Sequence, residues 1–134
     1  MVRCTRMGVV RKQYNFWPGE LGLDAWDVDR LIELTKDLPV KVVTLDSIRD
    51  VDSDYWFKYG PVLPTVRSIV DHIRFVRDVD PSYPIILAAD GRVMDGMHRV
   101  AKAILDGEAT IRAVQFEIDP EPDYWNCTPD ELPY

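Results

Sequence analysis

The chain has 134 residues, a formal net charge of −7, 46% hydrophobic and 29% charged side chains. That balance describes one globular domain with a hydrophobic core and excludes a disordered chain. The longest apolar run, residues 85–89, falls far short of the roughly 20 residues a membrane helix requires. The acid excess argues against a duplex-DNA binder, whose non-specific affinity comes from a basic face.

Residues 1–12 hold Arg3, Arg6, Arg11 and Lys12 and no acid. No apolar segment follows them as in a secretory signal. Cys4 and Cys127 are too few for a disulfide framework or zinc site, so a cytoplasmic protein with free thiols is expected. Residues 1–20 read as irregular, with Trp17-Pro18-Gly19 as a turn signal. Residues 24–36 read as a helix capped by Asp24 or Asp27, with Val28, Leu31, Ile32 and Thr35 at helical spacing. A β-branched strand is expected at 40–45, and a turn at 46–49. Residues 50–61 read as a loop whose Tyr55, Trp56, Phe57 and Tyr59 either pack it onto the body or form a pocket wall. The clearest helix is 65–78, where Val66, Ile69, Val70, Ile73 and Val76 form what reads as a core stripe. A buried strand at 85–89, an Asp90-Gly91 hairpin turn and a return strand at 92–94 follow. Residues 97–105 form the next helix, with Met97, Val100, Ala101, Ile104 and Leu105 as its apolar face and Gly107 at its end. A last strand is expected at 110–118. Beyond it, four prolines and the acids Asp119, Glu121, Asp123, Asp130 and Glu131 argue against regular structure.

The segment that carries chemistry is Asp95-Gly96-Met97-His98-Arg99, at a strand-to-helix junction. Free N–H groups and the dipole make a helix N-terminus electropositive. Gly96 permits close backbone approach, and His98 and Arg99 add donors, which together suit a phosphate. A capped, purely structural helix start fits the same residues. Asp95 serves equally as a helix cap, a metal ligand or a proton acceptor. Arg92 and Arg112 read as surface residues.

The order of elements from about residue 40 to 116, the Leu45-Asp46-Ser47-Ile48 turn and the Gly96-Met97-His98-Arg99 loop resemble the ParB/sulfiredoxin superfamily. The resemblance implies an α+β fold, a small mixed β-sheet with packed helices spanning residues 40–118. An N-terminal extension with one helix (1–39) and a Pro-rich acidic tail (119–134) flank it. It also implies a nucleotide (ATP, ADP or CTP, with Mg²⁺) held by Ser68, His72, Gly96, Met97, His98 and Arg99. Thr65 and His72 replace the Lys and Thr of the sulfiredoxin helix face, while Ser68 is retained. Met97 stands where sulfiredoxins carry their catalytic cysteine, and a thioether is no nucleophile toward phosphorus. The Asp-Gly-x-His-Arg form looks more like the free-serine kinases of this fold. That likeness implies phosphotransfer to a small-molecule acceptor, or nucleotide hydrolysis, with Asp95 as the catalytic group and Glu33, Asp46, Asp50 and Asp52 as further candidates for the base. The alternative, from a different class, is a non-catalytic sensor or protein-interaction module; a DNA-associated role ranks below both.

Overall fold

A computed structural model of the chain describes residues 12–59 and 63–134. It also describes the backbone of a short ladder pairing β1 (Thr5–Arg6) with β2 (Val9–Val10). Apart from Lys12, which pairs with Asp27 at 2.9 Å, the side chains of the basic arm and Cys4 lie outside the described residues, as do positions 60–62 of the aromatic loop.

The molecule is an α+β domain built on a mixed four-stranded sheet. β5 (Lys41–Thr44) lies antiparallel to β8 (Thr110–Gln115), β8 parallel to β6 (Ile85–Leu87), and β6 antiparallel to β7 (Val93–Asp95). Strand residues alternate between faces, and the core divides accordingly. Ile85, Leu87, Val93 and Ala113 join Met97 and Val100 of α3 (Met97–Leu105), with Leu45 and Ile48. Ile86, Met94 and Val114 turn the other way to meet Trp26 and Leu31. Leu31 belongs to α1 (Val28–Thr35), which Asp27 caps by accepting from the Asp29 N–H. Each sheet face therefore carries one helix.

The third helix, α2 (Val66–Asp78), packs against α3. Thr65 caps it through the Ser68 N–H. The stripe expected to be core is instead largely exposed: Val66 80%, Ile69 43%, Val70 38% and Ile73 55%, with only Val76 buried. The reason is geometric. A sheet of three- to six-residue strands has room for one helix on each face, and α1 and α3 already occupy both. On α3, Ile104 and Leu105 are likewise exposed, while Met97 and Val100 are buried.

The terminal segments depart from expectation too. Tyr14–Pro18 forms β3 and Leu23–Asp27 forms β4, so the expected helix at 24–36 begins only at Val28. Tyr124–Cys127 in the tail forms β9, completing a three-stranded antiparallel sheet in the order β3-β4-β9. Its core is Tyr14, Phe16, Ala25, Cys127 and Leu132. The tail prolines flank β9, and although they lack N–H groups their carbonyls still accept hydrogen bonds. Trp26 Nε1 donates to the Pro120 carbonyl at 2.8 Å, and the Tyr14 hydroxyl donates to that of Pro133. Burial pushes the Tyr14 phenol up to about 12. Arg92, expected at the surface, has a side chain only 13% exposed. It lies 3.9 Å over the Trp17 ring and pairs with Asp90 at 3.0 Å. Among the described residues, no helix is long and apolar enough to cross a membrane.

Candidate functional site

The loop singled out from sequence lies where β7 runs into α3. Gly96 is the N-cap, with φ +105°, a left-handed conformation that costs glycine little. A Cβ here would stand 2.7 Å from Ile85 Cγ2 and 2.8 Å from the Arg99 guanidinium. What approaches the Gly96 backbone is thus the protein itself. Asp95, Gly96, Met97 and His98 are all buried, His98 to 2% exposure. Arg99 folds back over its own helix start. Its Nη2 donates to Asp95 Oδ2 at 3.2 Å and to the Pro84 carbonyl at 3.3 Å. The two side chains are 12% and 11% exposed. Asp80, held below the usual carboxylate range chiefly by the Ser82 hydroxyl and N–H, also feels the Arg99 charge. Arg99 Nε is buried without a hydrogen-bond partner.

The helices bring two of the nominated residues together from 26 positions apart. His72 Nδ1 and His98 Nε2 lie 2.8 Å from each other, one donating and the other accepting. Trp56 stacks on both rings, with centroids at 4.4 and 4.9 Å, and Phe57 meets His72 edge-on. Burial lowers the His72 imidazole below its ordinary 6.5, which keeps its neutral form. This aromatic block occupies the junction of α2 with α3. Ser68 does not join it: its hydroxyl donates within its own helix start, to the carbonyls of Leu63 at 2.7 Å and Thr65 at 2.9 Å.

The carboxylates considered as a base are scattered over separate elements. Glu33 pairs with Lys36 at 2.6 Å on the exposed side of α1. Asp50 accepts from the Val93 N–H at 2.7 Å, which fastens its turn to β7. Asp46 and Asp52 are exposed. Among the described residues no three His, Cys, Asp or Glu side chains are grouped to hold a metal ion.

Of the concavities that adjoin these residues, two bear on what the site could hold. One, of about 370 Å³, is lined by Asp95 and Arg99 with Lys36, Leu38, Tyr83 and Pro84. The other, of about 340 Å³, runs between α2 and α3, with Trp56, Phe57, Ile69, Ile73, Ile104 and Leu105 among its walls. It is continuous with the exposed α2 stripe, so the two helices and the aromatic loop form one apolar face. Of the aromatic cluster, Trp56 and Phe57 line this groove, while the Tyr55 hydroxyl donates to the Val93 carbonyl at 2.8 Å and Tyr59 packs on the smaller sheet's core. Sequence periodicity found the stripe but assigned it to the core. The signal that corrects it is the count of helices against the two faces of a short-stranded sheet.

No family model matches the chain, and neither a curated protein nor a solved structure matches it.

Proposed function

We propose that this chain is a protein-interaction module on an α+β scaffold of ParB/sulfiredoxin type, and that the α2–α3 face is its working surface. The observation that carries this reading is the exposure of the aliphatic side chains of α2 together with Ile104 and Leu105. Scattered exposed aliphatics are ordinary, whereas a contiguous apolar face marks a binding surface. An isolated 13-residue helix is marginal in water, and α2 is held by α3 and the aromatic loop on one side, so a partner laid on its open face adds further packing. The test is urea unfolding at sub-micromolar protein. Ile73→Ser and Ile104→Ser are each expected to change stability by no more than about 0.5 kcal/mol, as surface substitutions do. Val76→Ala, in the packed seam, is expected to cost about 2 kcal/mol. A loss of 2 kcal/mol or more in Ile73→Ser contradicts the reading and makes the stripe core.

A second reading is favoured by one observation, the buried and unpartnered Arg99 Nε beside the groove that Lys36 also lines. It is the binding of a nucleotide (ATP, ADP or CTP with Mg²⁺) at the α3 N-terminus, with phosphotransfer to a small-molecule acceptor as its chemistry. Against it stand the Asp95 carboxylate on the same guanidinium and the burial of residues 95–98.

A further inference from the structure

We infer that the partner of the α2–α3 face is a second copy of this chain, paired through α2 in antiparallel orientation about a twofold axis; this rests on the interaction-module reading. The occupant is identified by the charges that border the stripe. Arg67, Asp71, Arg74 and Asp78 are all exposed and follow one another at spacings of four, three and four residues. On a helix such positions fall along one flank, here beside the exposed apolar seam of Val66, Ile69, Val70 and Ile73. The row reads plus, minus, plus, minus from the N-terminus and the opposite from the C-terminus. An acidic partner would meet Asp71 and Asp78, and a basic one Arg67 and Arg74, each with like charge. An antiparallel copy pairs every position, exchanging the exposed intrahelical contacts of Asp71 with Arg74 at 3.8 Å and of Asp78 with Arg77 at 3.3 Å: Arg67 faces the partner's Asp78, and Asp71 faces the partner's Arg74. The same register brings Ile73 to the twofold axis beside its own copy. An isologous contact of this kind closes on itself and leaves no second face for further growth.

The whole helix is about 20 Å long, so the contact is well below the roughly 800 Å² per partner of a standard interface, and the dimer is a weak, concentration-dependent one. The −7 charge of each copy is screened beyond about 8 Å at physiological salt.

The experiment is sedimentation equilibrium of the full chain from micromolar to millimolar concentration in 0.15 M salt, on wild type, Ile73→Glu, Asp71→Arg, Arg74→Asp and the double variant Asp71→Arg/Arg74→Asp. Wild type is expected to dimerise with rising concentration and Ile73→Glu to stay monomeric. Each single charge reversal creates two like-charge pairs per dimer and is expected to weaken association about tenfold. The double variant exchanges the partners and is expected to recover most of that loss. A wild type that stays monomeric throughout overturns the self-pairing, as does a double variant no stronger than the singles. Such a monomer, with Ile73→Ser melting within about 2 °C of wild type, leaves the face free for a different protein. A melting point lowered by about 8 °C or more in Ile73→Ser overturns the interaction reading itself.

Discussion

Asp95→Ala is expected to cost the fold about 3–5 kcal/mol, the loss seen when one member of a buried ion pair is removed and its partner's charge stays behind. The side chains of Asp95 and Arg99 are 11% and 12% exposed, and the guanidinium already has one buried nitrogen without a partner. Taking away the carboxylate leaves it the Pro84 carbonyl and the more distant Asp80. The pair also joins the end of β7 to the first turn of α3, so its loss loosens the connection between sheet and helix. Replacing both residues together, Asp95→Leu with Arg99→Leu, removes the charge along with its partner and is expected to cost less than either single change. A double-mutant cycle by urea unfolding measures this. A single-variant loss below about 1 kcal/mol would mean that Arg99 reaches water when released, and that the pair is not structural.

Gly96→Ala is expected to be nearly as damaging, at about 3 kcal/mol. Two costs combine there. A φ of +105° strains any side chain, and the new Cβ would stand 2.7 Å from Ile85 Cγ2, a side chain of the fully buried core. Gly107, at φ +75° with nothing within 4 Å of its would-be Cβ, separates them. Gly107→Ala carries the backbone strain alone and is expected to cost about 1–2 kcal/mol. Equal losses in the two variants, again by urea unfolding, would show that the Ile85 contact yields without cost.

How far the sequence revealed this molecule depends on what kind of signal each element carries. Local signals were legible. Asp27 as one of two candidate caps, Gly107 closing α3 and the turn at Asp90-Gly91 each depend on chemistry within a few residues. The β4 strand was hidden because Asp24 and Asp27 both look like helix caps and only pairing with β3 and β9 decides between them. β9 was hidden for a similar reason: prolines on either side suggested an irregular tail, and its strand partner lies far earlier in the chain, Leu23 pairing with Cys127 and Ala25 with Tyr124. The α2 stripe was legible as amphipathic but not as exposed, since periodicity reports a face and not what covers it. Of the site, the resemblance named His72 and His98 as contacts of one ligand and not of each other, and the burial of the Gly96 loop was not legible. That burial depends on Ile85 and Trp56, which lie outside the loop's five residues, and on a fold-back of Arg99 onto Asp95 and the Pro84 carbonyl.

In the proposed reading the donors at the start of α3 serve the fold and the α2–α3 face serves binding. A calorimetric and thermal-shift titration of the full chain with ATP, ADP and CTP, with and without Mg²⁺, tests it most directly. A ligand at 100 times its dissociation constant stabilises a fold by about 2.7 kcal/mol, well within reach of such a measurement. The expected result is no saturable heat and no shift in melting temperature with any of the three. Saturable stabilisation by one of them would contradict the claim, because the Asp95–Arg99 pair and the buried Gly96 turn would then have opened to admit a phosphate.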